Sequence, residues 1–92
     1  MSVPVVPRHI MDLARDPNLK ATVRLGRNGL TESIIEEIRV QLAARSLVKI
    51  RLNRGFADGS EERSLIFNHL EEQAGALCIF SRGNVAVLWK RL

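Results

Sequence analysis

The sequence predicts a two-layer α/β domain in the order α-β-α-β-α-β-β, with a mixed four-stranded sheet. Three observations carry this. Residues 30 to 46 and 60 to 75 are long stretches of helical period, short apolar runs of strand period lie between and after them, and glycines mark the joints. The 92 residues suffice for one core, and 46% apolar beside 26% charged residues is a globular composition. The expected organisation is a single domain over residues 8–92 behind a flexible leader, residues 1–7.

Each element has its own warrant. Pro4 and Pro7 oppose helix and sheet interior, so the leader is extended. Arg8 to Arg15 carries Ile10, Leu13 and Ala14 at helical spacing, with Pro7 suited to the first helical position and Pro17 stopping further growth. Ala21 to Leu25 alternates apolar and polar residues, which points Val23 and Leu25 inward on a strand. Thr31 is the expected N-cap of a helix whose stripe is Ile34, Ile35, Ile38 and Leu42. Leu47 to Leu52 sets Val48, Ile50 and Leu52 on one face and Lys49 and Arg51 on the other. An Asp58-x-x-Glu61 capping pattern opens a helix that buries Leu65, Ile66, Leu70 and Ala74 and ends at a left-handed Gly75. Ala76 to Phe80 and Val85 to Trp89 form a hairpin around Ser81-Arg82-Gly83-Asn84. The helical links are long enough for right-handed parallel crossovers.

Charge narrows the function classes. The net charge is +4, but the two long helical stretches hold seven acids and three bases, leaving eleven bases against three acids elsewhere. Positive charge therefore belongs to loops, strands and ends, which suits a polyanionic partner and equally a solvated surface. Cys78, alone, makes no internal disulfide and reads as a buried strand residue, so a reducing cytoplasmic setting is expected. No apolar run approaches the roughly 20 residues that span a bilayer, so no membrane partner is expected. A monomer without cofactor or small-molecule substrate is the anticipated form.

The segment Arg24-Leu25-Gly26-Arg27-Asn28-Gly29-Leu30-Thr31 places a Gly-x-x-Gly loop between a strand and a helix start. Two glycines allow main-chain N–H groups to approach a sugar-phosphate backbone, and the helix start adds further donors and a positive dipole end. Arg27 supplies a bidentate phosphate donor and Asn28 a hydrogen bond to sugar or base. Glycines in so tight a turn also have a purely steric explanation. The P-loop pattern and the dinucleotide Gly-x-Gly-x-x-Gly pattern do not occur, so a mononucleotide site is not expected. What remains is a short loop of the kind with which KH modules hold a nucleic-acid backbone.

Here a family resemblance enters. Leu25 to Glu32, the isoleucine-rich helix after it, Leu47-Val48-Lys49-Ile50-Arg51, the Glu61-Glu62-Arg63 opening and the terminal Ala86-Val87-Leu88-Trp89-Lys90-Arg91 resemble the CRM domain, chloroplast RNA splicing and ribosome maturation. Its stand-alone prokaryotic members are the YhbY-like proteins. The resemblance covers roughly residues 8 to 91. It implies an RNA-binding fold related to the C-terminal domain of a bacterial translation initiation factor, with precursor large ribosomal subunits as targets in prokaryotes and intron RNA in plants. It also implies that Gly26, Arg27, Asn28 and Gly29 contact the RNA backbone. Two departures stand out: Arg27 occupies a position where lysine is expected, and the family's long first helix is shortened and split by Pro17.

Around the loop, Lys20, Arg24 and Thr31 are candidate RNA contacts by proximity in sequence. A second candidate surface combines Lys49, Arg51, Asn53 and Arg54 with Arg82, Asn84, Lys90 and Arg91, which can follow a structured RNA by shape and phosphate contacts. Its alternative is a set of edge charges that deter aggregation. Only Phe56 and Trp89 are plausible exposed rings, with Phe67 and Phe80 in the core, so RRM-style reading of unstacked bases is not expected. His9 and His69 lack partners at metal-ligand spacing, and the acids lie at helix-surface spacing, so no enzyme is expected. Two alternatives stay open: a double-stranded DNA or chromatin protein, and a protein-interaction adaptor in ribosome assembly.

Overall fold

The computed structural model describes residues 5–26 and 29–91. Seven elements follow in the predicted order: α1 (Arg8–Arg15), β1 (Val23–Leu25), α2 (Glu32–Arg45), β2 (Leu47–Leu52), α3 (Ser60–Ala74), β3 (Leu77–Arg82) and β4 (Val85–Trp89). Of the leader, residues 1–4 lie outside the described residues and 5–7 carry no regular structure.

Helix ends show how local chemistry sets the boundaries. Pro7 is the N-cap of α1 rather than its first helical residue: with ψ at 144° it stays extended while its carbonyl accepts from Ile10 and Met11. Asp16, held extended by the following Pro17, ends that helix. Thr31 caps α2 as expected, its Oγ1 accepting from the Ile34 N–H at 3.2 Å. The α3 cap differs from the sequence reading. Gly59 is the N-cap and has no side chain to offer, and Glu62 instead reaches back to accept from the Asp58 N–H at 2.9 Å. Gly75 ends α3 in the left-handed conformation, as its position predicts.

The strands form one sheet in the order β1-β2-β4-β3, with β1 and β2 parallel and the remaining pairs antiparallel. Helix α2 makes the parallel crossover from β1 to β2. Helix α3 carries the chain to the outer position, and the hairpin folds β4 back between β2 and β3. Strand β1 begins at Val23 rather than Ala21, although the Thr22 N–H still donates to Lys49. The hairpin turn is the two residues Gly83 and Asn84, so β3 runs on through Arg82 where the sequence reading placed loop.

Helices α2 and α3 cover one face of the sheet. Leu25, Ile38, Leu42, Ile50, Leu70, Ala86 and Leu88 are fully buried there, and each large aliphatic side chain so placed stabilises the fold by about 1.5–3 kcal/mol. Phe67 is in the core as expected, but Leu65, which the sequence reading also buried, is 65% exposed; the α3 stripe is rotated so that Phe67, Leu70 and Ala74 face the sheet. Arg39 joins the two helices by donating from Nε and one terminal nitrogen to the Gln73 carbonyl, at 2.9 and 2.7 Å.

The opposite face is divided. Over β3 and β4 it is apolar, with Val87 and Trp89 buried and α1 lying against it through Ala14. Trp89 is thus 6% exposed rather than an available ring, because it stands across from Leu47 and Leu77 in the sheet register. Leu13, expected inside, lies exposed on the outer side of α1. Over β1 and β2 the same face is polar, and there the candidate residues gather.

Candidate nucleic-acid interface

The pleat alternates side chains between faces, so directly paired residues share a face. Arg24 pairs with Arg51, Arg51 with Val85, and Val85 with Arg82. These four residues form one row across all four strands on the face away from α2 and α3, about 14 Å long at three inter-strand spacings. A bulge between Cys78 and Phe80 brings Arg82 into the row. Were Ile79 paired in regular alternation, Phe80 and Arg82 would point to the helix side with Cys78; because the register skips it, Phe80 and Arg82 share the outer face.

The loop from α1 to β1 lies along this face. Lys49 Nζ donates to the Leu19 carbonyl at 2.7 Å and holds the loop against β2. A groove lined by Lys20, Arg24, Lys49, Arg51 and Val85 results, and beside it a second hollow takes in Arg15, Phe80 and Arg82. Six cationic side chains thus face the two hollows, with Asp16 the acid among them; Asp16 already accepts from the Asn18 N–H at 2.9 Å. Arg24 and Arg51 stand opposite each other with like charge, an arrangement that opposes folding. Among the described residues the ion pair is Glu36 with Arg39, on the helix layer, and none joins an acid to Arg24, Arg51 or Arg82.

At the C-terminal ends of β1 and β2 two turns sit side by side. The Gly29 N–H donates to the Gly26 carbonyl at 2.8 Å and closes the first turn. One of the main-chain donors that the loop was expected to offer is therefore used inside it. Arg27 and Asn28, between the two glycines in sequence, lie outside the described residues. The second turn runs from Asn53 to Phe56, whose N–H donates to the Asn53 carbonyl at 3.0 Å, and Gly55 supplies a φ of 84° at its third position. The Asn53 N–H donates to Leu25 and ties the turns together. Gly26 is where a glycine matters sterically: a Cβ there would lie 2.5 Å from Asn53 Nδ2.

The remaining candidates divide. Arg54 is exposed on the second turn, and Asn84 stands at the same end of the sheet, its carbonyl accepting from the Leu52 N–H at 2.7 Å. Thr31 uses its oxygen for the α2 cap and keeps its O–H free to donate. Lys90 and Arg91 are at the other end of the strands, beside Glu71, Glu72 and Trp89, so the structure does not bring them to the row. Arg15 is an addition that sequence reasoning missed, since a residue of a short amphipathic helix carries no signal for the sheet face it meets. Phe56 is half-buried and packs on the core. Cys78 is half-buried, and burial, with the nearby Glu71 carboxylate, raises its thiol pKa above the ordinary range. Among the described residues no three His, Cys, Asp or Glu side chains group to hold a metal. Among the same residues no helix is long and apolar enough to cross a membrane.

Comparison with known proteins supplies the context. The solution structure of the hypothetical protein SAV1595 from Staphylococcus aureus, proposed to be an RNA-binding protein, superimposes with a TM-score of 0.74 at 20% identity, over 92% of this chain and 83% of that one. At that identity the likeness establishes the fold. The family model for the CRS1/YhbY (CRM) domain matches residues 13–90. The chain belongs to the CRS1/YhbY (CRM) domain family.

Proposed function

We propose that this protein is a non-catalytic RNA-binding domain that holds structured RNA against the row Arg24, Arg51 and Arg82, with the Gly26–Gly29 loop continuing the track. The observation that carries the reading is the like-charged pair Arg24–Arg51. Two guanidinium groups side by side on adjacent strands destabilise an isolated protein, and a polyanion turns that cost into binding energy. Family membership and the Staphylococcus aureus neighbour, itself proposed to bind RNA, point to the same class of partner. The groove is concave and the exposed rings are few, which favours recognition by shape and phosphate position over a series of stacked bases.

The family resemblance makes ribosomal RNA, and precursor large subunits within it, the first ligand to test, with the protein acting as a cytoplasmic monomer. Binding to ribosomal RNA fragments is measured over a range of salt for the wild type, for Arg24→Glu with Arg51→Glu, and for Arg27→Asp with Asn28→Asp. Removing one phosphate-binding cation lowers the logarithmic salt slope by about 1. A large drop in affinity in both variants, with folded spectra, supports the track from row to loop. A drop in the first variant alone confines the site to the sheet face. A preference for duplex DNA over RNA in competition would favour the chromatin reading, and no nucleic-acid binding by the wild type would favour a protein adaptor.

A further inference from the structure

We propose that the cavity between the two turns, about 310 Å³ and lined by Gly26, Asn53, Arg54, Gly55 and Phe56, receives one unstacked nucleobase of the bound RNA, so that the protein selects a base at a single position. The inference rests on the RNA-binding reading and goes beyond it, because contacts from the basic row to phosphates do not tell one base from another.

The lining supplies what a base requires. Gly26 and Gly55 contribute backbone walls without side chains, so a flat ring can approach closely. Phe56 closes the cavity with a half-buried ring anchored on the core, a surface of fixed position. Arg54 stands exposed at the second position of the turn, where it can meet the phosphate of the same nucleotide. Asn53 is the group that discriminates. Its side chain lies across Gly26 in space that any Cβ would take, and the residue is exposed, so its amide is open to a ligand. A carboxamide offers one donor and one acceptor side by side. Adenine presents an adjacent N6 donor and ring-nitrogen acceptor on two edges, with N1 and with N7, whereas cytosine and uracil have no N7 edge; the N6–N7 pair is the one by which asparagine reads adenine elsewhere.

The experiment is competition of single-stranded oligoadenylate, oligocytidylate and oligouridylate of equal length against a labelled ribosomal RNA fragment, for the wild type, Asn53→Ala and Phe56→Leu. Circular dichroism establishes that each variant is folded. The wild type is expected to prefer adenylate by about tenfold, in line with one bidentate base contact. In Asn53→Ala that ratio falls to about 1 while affinity for the ribosomal fragment stays within a few-fold. In Phe56→Leu the affinity for adenylate falls more than the affinity for the fragment. Equal affinity of the wild type for all three oligonucleotides, with tight binding of the fragment, overturns the base pocket and leaves the RNA reading standing. Failure of the wild type to bind any of them, fragment included, overturns both.

Discussion

At the scale of single residues, Gly26 separates two roles that a glycine in such a loop can play. Its φ is not in the left-handed region, so the backbone tolerates alanine; the obstacle is the Asn53 amide, 2.5 Å from the new Cβ. That amide is the far end of a rotatable side chain and can swing away at little cost. Gly26→Ala is therefore expected to unfold within a few degrees of the wild type while losing adenylate preference, with melting and oligonucleotide competition as the two readouts. A melting temperature lowered by more than about 10 °C would instead make the glycine structural. Cys78 behaves in the opposite sense, with packing deciding its chemistry. Its folded pKa is raised, so the stabilisation it brings is present below the pKa of the unfolded thiol and is lost as pH climbs from there through the folded value. Alkylation at neutral pH should be slow in the folded protein and fast in denaturant, and equal rates would place the thiol in solvent. These two residues also mark how far sequence reading reaches. Gly-x-x-Gly marked the turn between β1 and α2, but the group that a side chain at its first glycine would meet is Asn53, 27 positions away and brought to it through parallel pairing.

At the scale of elements, periodicity located every helix and strand because the core imposes it: Ile35, Ile38 and Leu42, or Val48, Ile50 and Leu52, repeat at the period of the element that buries them. It failed where a neighbour rather than the element decides. Leu65 and Phe67, two positions apart on α3, were both expected inside, and packing against the sheet buries Phe67 and leaves Leu65 exposed. The bulge in β3 left no period to read, yet it sets the side on which Arg82 emerges. Deleting Ile79 removes the extra residue and leaves Phe80, Ser81 and Arg82 opposite their present partners, so Arg82 stays on the outer face and RNA binding is expected to stay near the wild-type level while an Arg82→Ala protein loses affinity. Wild-type affinity in the folded Arg82→Ala protein would show that Arg82 takes no part, and lost binding in the folded deletion variant would show that the bulge itself shapes the site. The α2 terminus offers a stability prediction independent of function. Ser46 holds a φ of 59°, a conformation that costs a non-glycine residue about 1 kcal/mol, because its N–H must reach Leu42 while its carbonyl accepts from Lys90. Ser46→Gly should gain roughly 0.5–1 kcal/mol, read as a melting temperature higher by a few degrees. An unchanged or lower value would mean that the serine side chain contributes more than its strain removes.

At the scale of the whole molecule, acids and bases segregate to opposite sides of the sheet. Helices α2 and α3 hold seven acids and three bases, whereas Arg15, Lys20, Arg24, Lys49, Arg51 and Arg82 gather on the far side. The sequence showed the imbalance between helices and the rest, but only the fold places the bases in one groove. A net charge of +4 would attract RNA from any direction, whereas a segregated charge acts locally, since fields beyond about 8 Å are screened at physiological salt. The two accounts predict different outcomes for charge changes made on opposite sides. Glu37→Gln, Glu61→Gln and Glu72→Gln together raise the net charge by three on the helix layer, while Arg24→Gln with Arg51→Gln lowers it by two on the sheet face. If net charge governs binding, the triple variant gains more affinity and salt slope than the double variant loses. If the sheet face is the interface, the triple variant keeps the wild-type slope and the double variant loses about 2 from it. Salt titrations of the three proteins against one ribosomal RNA fragment decide between them, and a slope that rises in the triple variant would move the interface off the basic row.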